Sequence, residues 1–325
     1  MSNLNPKLYQ PDVDQEPIRA GFGRGLVEAG KRNNRVVALC ADLTDSTKMD
    51  GFKKEFPDRF VEIGIAEQNL VTVGAGMALA GKVPFVSSYA AFSPGRNWEQ
   101  IRTTVCLNEA NVKIVGSHAG VSVGPDGATH QMLEDIALMR TLPNMSVVVP
   151  CDSLEAEKAT LALAGMYGGA YLRLAREKTP VVTTADTPFS LAKACVYRDG
   201  SDVTIVACGP MVYQALVAAE QLANRKISAE VINCAIIKPL DTVTILKSVR
   251  KTGAVITVEE AQIIGGLGGA IAELLGENEP LPLTRVGMRD HFGESGKPEE
   301  LLEKFGLTAK HIATEAEALL KRKEK

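Results

Sequence analysis

A glycine-rich loop at residues 116–131 carries the densest group of side chains in the sequence that could do chemistry. His118, Asp126 and His130 lie there among residues too small to bury them. Two histidines with an aspartate on one flexible loop favour proton transfer or the binding of substrate hydroxyl groups. Metal ligation is the weaker alternative, because no further cysteine or histidine lies nearby in the sequence. We therefore predict a polar binding site in this loop.

Glu67 is a second candidate, because it is the only charged residue in the apolar, glycine-rich segment 66–80. A glutamate there can simply complement the dipole at a helix N-terminus, which is worth about 0.5 kcal/mol if the side chain is exposed. A carboxyl group that opens a helix without a polar face should instead be poorly solvated. Such a group can act as a hydrogen-bond donor or an acid, as a cofactor ring nitrogen would need.

Two glycine clusters resemble phosphate-binding loops without having the full spacing. Residues 21–25 do not follow a strand, so we expect a helix that packs closely through its glycines. Residues 265–269 follow a strand but lack the last glycine of the dinucleotide fingerprint. We interpret them as a tight strand-to-helix turn, which leaves nicotinamide binding as the weakest functional option.

The hydrophobic pattern predicts the scaffold that positions these residues. Short β-branched runs alternate with helical periodicity, which is typical of parallel sheets flanked by helices. The loop at 116–131 leaves the end of such a strand, where open α/β sheets bind ligands. Strands are predicted at 35–40, 83–86, 112–115, 146–149, 171–174, 203–206, 229–234, 254–258 and 283–286, and helices at 18–31, 66–80, 98–108, 153–166, 210–224, 241–251, 268–275 and the C-terminal run.

The alternation lapses between residues 179 and 190, which are rich in Thr, Pro and Asp. We place a domain boundary there. The expected organisation is a loose N-terminal arm at 1–17, an α/β domain at 18–185 and a smaller α/β domain at 190–325. Each domain should contain a mostly parallel sheet with helices around it.

Composition excludes several classes of function. Thirty-six Lys and Arg against thirty-nine Asp and Glu give a net charge of −3, without a basic stripe for nucleic acid. The six cysteines form no CxxC pair and most stand in or beside apolar runs, which argues against a metal centre. The most apolar stretch, 70–81, is shorter than the ~20 residues of a membrane span. With no signal-peptide pattern at its start, we expect the protein in the cytoplasm.

The chain resembles the C-terminal half of transketolase, a thiamine diphosphate enzyme. The resemblance begins near residue 18 and rests on separated motifs in the family's order: ADLTDS at 41–46, GIAEQN at 64–69, the loop from His118 to His130, LAR at 174–176 and DHFGESG at 290–296. It implies a pyrimidine-binding domain followed by a transketolase C-terminal domain.

The resemblance also implies roles at the cofactor. Glu67 would hydrogen-bond the aminopyrimidine ring of thiamine diphosphate and favour the tautomer that removes the thiazolium proton. Phe92 would stack on that ring with Tyr89 beside it, although core packing is the ordinary interpretation of such aromatic residues. Asp42 would lie near the cofactor, with no role assigned.

For the substrate, the resemblance implies contacts to a sugar phosphate. Asp126 would accept a hydrogen bond from a donor hydroxyl, and His118 and His130 would bind hydroxyls near the reacting carbonyl or assist proton transfer. Three further residues match the family's sugar-phosphate contacts: Arg19, Ser46 and Arg176. Guanidinium groups suit phosphate through charge and bidentate geometry.

The diphosphate half of the family's site is missing from this sequence. The family holds the diphosphate through a metal ion bound by a Gly-Asp-Gly segment, which does not occur here. The resemblance therefore implies a split transketolase, active only with a separate N-terminal subunit that binds the diphosphate and Mg²⁺ or Ca²⁺. We expect two copies of each chain, an α2β2 assembly, and no metal ligands in this chain.

Two related enzymes and one non-enzymatic role are the alternatives. Half of a 1-deoxyxylulose-5-phosphate synthase-like enzyme is the main alternative, and that family usually has arginine where His118 stands. The β subunit of a 2-oxo acid dehydrogenase has similar length and domains, but His118, Arg176 and the 290–296 segment argue against it. A subunit kept only for assembly is disfavoured, because Glu67 and Asp126 are retained.

Overall fold

The structure is a computed structural model that describes residues 3–323. In that part of the chain, helices flank two main β-sheets. The strands are β1 (Gln15–Pro17), β2 (Val36–Cys40), β3 (Phe60–Glu62), β4 (Val83–Tyr89), β5 (Lys113–Ser117), β6 (Met145–Val148), β7 (Gly169–Arg173), β8 (Lys178–Pro180), β9 (Cys195–Arg198), β10 (Val203–Ala207), β11 (Ala229–Asn233), β12 (Ile236–Lys238), β13 (Val255–Gln262) and β14 (Leu283–Met288).

The helices cover the faces of these sheets. They are α1 (Ile18–Arg32), α2 (Asp50–Glu55), α3 (Glu67–Leu79), α4 (Trp98–Gln100), α5 (Asp135–Arg140), α6 (Ser153–Gly165), α7 (Met211–Ala223), α8 (Thr242–Thr252), α9 (Leu267–Asn278), α10 (Pro298–Lys304) and α11 (Ala309–Lys323). Short 3-10 turns occur at Pro57–Arg59 and Val121–Asp126.

The first sheet has the strand order β12-β6-β7-β5-β4-β2-β3. All neighbours are parallel except β12, which runs antiparallel to β6. Every residue of β2, β5 and β7 is buried, as expected for strands covered on both faces. The parallel arrangement brings the carboxyl ends of β2, β4, β5 and β7 to one edge of the sheet.

The second sheet has the order β14-β13-β10-β11-β9, with only β9 antiparallel to its neighbour among the described strands. Helices α7 and α11 pack on one of its faces around a core of Leu, Val, Ile and Ala. The predicted fold class, two α/β domains with mostly parallel sheets, is confirmed.

The short strand β12 connects the two domains. It lies in the C-terminal half of the sequence, yet Ile236 pairs with Val148 at the edge of the first sheet. The Val149 N–H also donates to the Ala235 carbonyl at 2.7 Å. The domains are therefore joined by backbone hydrogen bonds as well as by side-chain packing.

Helices α1 and α6 pack closely through the glycines of the 21–25 cluster. A Cβ on Gly21 would lie 1.7 Å from the Ser153 carbonyl oxygen, and one on Gly25 would lie 2.8 Å from Thr160 Cβ. These glycines thus let two backbones approach, and the interpretation as helix packing is confirmed.

The expected loose N-terminal arm is wrong over its described part, residues 3–17. Leu8 and Val13 are buried, and strand β1 pairs antiparallel with β8. The Asn5 N–H donates to the Val182 carbonyl at 2.9 Å. The prolines suggested an irregular segment, but apolar side chains between them bury themselves against the domain that follows. Residues 1 and 2 lie outside the described part of the chain.

The helix predicted at 98–108 is only partly α-helical. Residues Ile101–Cys106 form a π-helix after the single α-turn of α4. Thr103 and Thr104 donate their hydroxyls to the carbonyls of Glu99 and Gln100. Such bonds to the preceding turn compete with the backbone ladder and bend helices, which periodicity cannot reveal.

Because α1 and α6 lie so close together, adding one methyl group at Gly21 should strongly lower the stability of the protein. Gly21→Ala should lower the free energy of unfolding by about 2–3 kcal/mol, because the Ser153 backbone cannot yield as a side chain would. Gly165→Ala, in α6 itself, is the matched control, since its Cβ would meet no atom within 4 Å. Urea unfolding of both variants measures the difference, and equal stabilities would contradict the packing described here.

Candidate active site

The candidate site lies at the carboxyl edge of the first sheet. Tyr89 ends β4, His118 follows β5, and Arg176 follows β7. Arg19 joins them from the first turn of α1. Adjacent parallel strands thus deliver residues that are far apart in sequence to one place, as open α/β sheets do at their ligand sites.

His118 is held by three neighbours and is almost completely buried, with 2% of its side chain exposed. Its ring stacks on Tyr89 with 3.8 Å between centroids. Arg19 Nη1 lies 2.9 Å from Nε2, and Ser117 Oγ lies 2.9 Å from Nδ1. Because a guanidinium group can only donate, Nε2 accepts and the ring proton is on Nδ1, which donates to Ser117.

Burial, together with the charges around His118, keeps its ring neutral. Burial lowers the pKa of His118 to about 3, with further lowering from Arg19, Arg176 and His130. In the isolated chain, His118 is therefore a neutral hydrogen-bond acceptor rather than an imidazolium. Its backbone is held in the left-handed region, with a φ of +57°.

Arg19 and Arg176 form a positive pair beside this histidine. Burial and the charge of Arg176 lower the pKa of Arg19. Arg19 Nε is buried and has no hydrogen-bond partner in residues 3–323. Arg176 Nη1 donates to the Val123 carbonyl at 2.7 Å and lies 3.1 Å from Glu177. Two guanidinium groups with unused donor capacity form a site for an anionic group.

Aromatic rings continue the site toward Glu67. Tyr89 and Phe92 stack with centroids 6.0 Å apart. The ring of His130 meets both edge-on, at 6.3 Å from Tyr89 and 5.4 Å from Phe92. His130 Nδ1 lies 2.9 Å from Thr129 Oγ1. These rings form a wall that suits a flat ligand.

Glu67 is the first residue of α3, and its side chain is 2% exposed. The expected burial of this carboxyl group is therefore observed. Arg96 Nη1 donates to Glu67 Oε2 at 2.7 Å, and its guanidinium carbon lies 4.8 Å from the centroid of Phe92. Asn97 Nδ2 donates to the Glu67 carbonyl at 2.8 Å. Arg96 and Asn97 could not be predicted from the sequence, because the turn before α4 carries no motif.

Three expected site residues form no hydrogen bond with this cluster in residues 3–323. Asp126 is exposed at the tip of the loop, and its carboxylate accepts no hydrogen bond from residues 3–323. Asp42 and Ser46 line an open depression of about 710 Å³ after β2, together with Lys53, Lys54 and Glu62. Their expected roles gain no support from contacts within this chain.

The glycine cluster at 265–269 is a strand-to-helix turn, as interpreted from the sequence. The Glu259 carboxylate accepts hydrogen bonds from the N–H groups of Leu267 and Gly268, both at 2.7 Å. This buried acid occupies the helix N-terminus where a phosphate would bind. Between residues 3 and 323, no cluster of three or more His, Cys, Asp or Glu could hold a metal ion.

Comparison with known families decides the assignment. The family model for the transketolase pyrimidine-binding domain matches residues 15–181, and that for the transketolase C-terminal domain matches residues 192–312. The chain belongs to the transketolase family. The resemblance drawn from the separated motifs is confirmed.

Relatives of this transketolase chain include separate subunits of similar length. It is 44% identical over 315 residues to the 6-deoxy-6-sulfo-D-fructose transketolase subunit SqwH of Clostridium sp. (strain MSTE9), covering 97% of this chain and 98% of that one. It is 45% identical over 299 residues to a putative transketolase C-terminal section of Methanocaldococcus jannaschii, covering 91% and 94%. Against human transketolase, at 36% identity, it covers 94% of its own length and 49% of that protein.

A solved structure gives the same result. A split-gene transketolase, described as an inactive β4 tetramer, superposes with a TM-score of 0.88 at 46% identity and covers 94% of this chain and 98% of that one. The chain thus matches a split-gene transketolase subunit over nearly its whole length, and it corresponds to the C-terminal half of the longer transketolases. None of the helices described between residues 3 and 323 is long and apolar enough to cross a membrane.

The neutral state of His118 predicts a pH dependence of stability. Its pKa is about 3 in the folded chain and about 6.5 in an unfolded one, so between these values the unfolded chain binds an extra proton. The free energy of unfolding should therefore decrease as the pH falls below 6.5. The decrease should be steeper in the wild type than in His118→Asn, by up to about 1.4 kcal/mol per pH unit. Urea unfolding of both proteins between pH 4 and 7.5 measures this. An NMR signal of His118 that titrates near pH 6.5 would contradict it.

Proposed function

We propose that this chain and a separate N-terminal subunit together transfer a two-carbon ketol unit from a ketose phosphate to an aldose phosphate. The observation that carries the proposal is the continuous arrangement of Glu67, an aromatic wall and the arginine pair at one sheet edge. It provides contacts for a flat heterocycle at one end and for an anionic sugar at the other.

The residues present fit the pyrimidine part of thiamine diphosphate. Glu67 offers a buried carboxylate at the foot of the aromatic wall, and Phe92 offers a ring face beside it. When bound, thiamine diphosphate supplies the thiazolium carbon that carries the two-carbon unit. Glu67 would hold a proton at the pyrimidine N1′ position, and Phe92 with Tyr89 would orient the ring and exclude water.

Arg96 neutralises Glu67 while the pyrimidine is absent. Its guanidinium group donates to the Glu67 carboxylate and lies over the ring of Phe92. The Arg96 side chain is 50% exposed and can move into solvent, whereas the Glu67 carboxylate is 2% exposed and would then need the pyrimidine as its new partner. We therefore propose that Arg96 gives up these contacts when the ring binds.

A partner subunit is needed for the other part of the cofactor. The Gly-Asp-Gly segment is absent from the sequence, and residues 3–323 offer no metal-ligand cluster. The diphosphate and its Mg²⁺ or Ca²⁺ ion would be bound by an N-terminal transketolase subunit, in an α2β2 assembly. The similar split-gene structure, described as inactive and composed of β chains alone, supports this division. Six cysteines without disulfides suit a reducing compartment, and we propose the cytoplasm.

The arginine pair defines the substrate class as a sugar with an anionic end. We propose that Arg19, Arg176 and Ser46 bind the phosphate, while His118, Asp126 and His130 bind hydroxyls near the carbonyl. Relatives named for apulose 4-phosphate and for 6-deoxy-6-sulfo-D-fructose show that the anion differs within the group. Sulfonate and phosphate both suit guanidinium groups, so both belong in the assay.

The first test is ketol transfer with each chain alone and with both together. Activity from xylulose 5-phosphate to ribose 5-phosphate should require both chains, thiamine diphosphate and Mg²⁺. Glu67→Gln should lower kcat by about 10²–10⁴-fold without impairing assembly in size-exclusion chromatography. Glu99→Gln, the same change at an exposed position near Arg96, is the control.

Three outcomes would contradict this function. Activity of this chain alone would remove the need for a partner. Unchanged turnover in Glu67→Gln would end its assigned role. Pyruvate decarboxylation without ketol transfer would place the chain with the 1-deoxyxylulose-5-phosphate synthase or 2-oxo acid dehydrogenase alternatives.

The second test concerns the anionic end of the substrate. Arg176→Met keeps the length of the side chain but removes its charge, so kcat/KM for xylulose 5-phosphate should fall by about 10–100-fold. The value for L-erythrulose, a ketose without an anionic group, should stay within about twofold. Arg225→Met, at an exposed position paired with Glu317, is the control. An equal loss for both ketoses would contradict phosphate binding by Arg176.

A further inference from the structure

Two of the contacts between the C-terminal domain and the loop at 118–131 are hydrogen bonds that the proposed function does not use. One is made by the carboxylate of Glu260, near the end of β13, and the other by the segment 293–296. We propose that the C-terminal domain positions this loop for sugar binding, with Glu260, Gln131 and Gly293 as the positioning residues. The inference rests on the proposed function, because the loop carries His118, Asp126 and His130.

Glu260 is buried inside the protein and contacts the backbone of the loop. Its side chain is 2% exposed, and it accepts a hydrogen bond from the N–H group of Ser122 at 2.5 Å. A Cβ on Gly120, whose φ is +94°, would lie 2.4 Å from the Glu260 carboxylate. The loop backbone therefore lies directly against this acid, at a point where only glycine leaves enough room.

Arg173 fixes the position of Glu260. It donates from Nη2 to the Glu260 carbonyl at 2.8 Å and from Nε to Asp135 at 2.8 Å. Burial raises the pKa of Glu260, while the charge of Arg173 and the Ser122 N–H group act in the opposite direction. The acid is thus held by the end of β7 in the first domain although it belongs to the second.

Gln131 makes the second connection, at the far end of the loop. Its Nε2 lies 3.1 Å from the Val121 carbonyl, 3.1 Å from that of Gly124 and 2.8 Å from that of Glu294. The first two acceptors close the loop on itself, and the third fastens it to the C-terminal domain. Gln131 is 4% exposed, so these bonds are shielded from water.

Gly293 allows this contact. A Cβ at that position would lie 1.8 Å from Gln131 Oε1. Nearby, Ser295 Oγ lies 2.6 Å from the place where a Cβ on Gly127 would be. The 290–296 motif, which the sequence analysis used only for the resemblance, is therefore packed against the substrate loop.

Such contacts matter because the loop would otherwise be flexible. It contains four glycines between residues 116 and 127, and ordering such residues costs conformational entropy. A loop that is ordered before the sugar arrives saves that cost on binding. Releasing the loop should raise KM for the sugars and leave the affinity for thiamine diphosphate unchanged, because the proposed cofactor contacts Glu67, Phe92 and Tyr89 lie outside the loop.

The experiment compares Glu260→Ala, Glu260→Gln and Gly293→Ala in the two-chain enzyme. Glu260→Ala and Gly293→Ala should each raise KM for xylulose 5-phosphate at least tenfold, with the Kd of thiamine diphosphate unchanged within twofold. Glu260→Gln keeps an oxygen acceptor for the Ser122 N–H group and should recover most of the loss. Gly276→Ala, whose Cβ would meet no atom within 4 Å, is the control for the glycine substitution.

Hydrogen–deuterium exchange of this chain alone supplies a second readout that needs no activity. Peptides covering residues 118–131 should exchange at least tenfold faster in Glu260→Ala and Gly293→Ala than in the wild type and in Gly276→Ala. If Glu260→Ala does not fold, Gly293→Ala, at a partly exposed loop position, carries both tests.

The outcomes separate this inference from the proposed function. Unchanged loop exchange in the variants overturns the inference, as does an equal rise in sugar KM and cofactor Kd. An inactive wild-type complex would overturn the proposed function, while faster loop exchange would still support the connection between domain and loop. An active wild type with unchanged KM in both variants would leave the proposed function intact and overturn the positioning role.

Discussion

The buried ion pair between Asp135 and Arg173 connects the main parts of the molecule. Both side chains are almost fully buried, with Arg173 Nε 2.8 Å from Asp135 Oδ2 and the Tyr171 hydroxyl 2.7 Å from the same oxygen. Removing one partner of such a pair costs about 3–5 kcal/mol, because the other charge stays buried without compensation. Through Arg173, the end of β7 reaches Glu260 in the C-terminal domain. The hydrogen bonds of this ion pair therefore connect the first sheet to the second domain and, through Glu260, to the substrate loop.

The main strands and helices could be predicted from the sequence, because local hydrophobic patterns identify long apolar strands and amphipathic helices. Strands such as Val36–Cys40 and helices such as Ile18–Arg32 fall within one residue of the predicted bounds. Pattern failed where tertiary contacts decide the structure. Strands β1 and β12 have three residues each and form because a distant edge accepts them. Short helices such as Asp135–Arg140 contain too few turns to show a period.

The candidate site was predictable in its residue types and less so in its contacts. His118, His130, Tyr89 and Phe92 form one cluster, and the roles that the resemblance implied for them stay predictions. Arg96 and Ser117 were not foreseen, because a counter-ion or tautomer-fixing partner is chosen by three-dimensional proximity and carries no sequence motif. Asp42, Ser46 and Asp126 face open space in this chain. Their expected roles depend on groups that come from outside it.

The edge strand β12 also constrains the order in which the chain can fold during synthesis. Residues 236–238 complete the first sheet by pairing with β6, more than fifty residues after β8 has been made. The N-terminal domain therefore leaves the ribosome with an unpaired β6 edge, and such edges invite pairing with other chains. The edge is covered only when β9, β10 and β11 have also emerged. The first sheet is therefore completed only after synthesis has passed Lys238, which lies well inside the second domain.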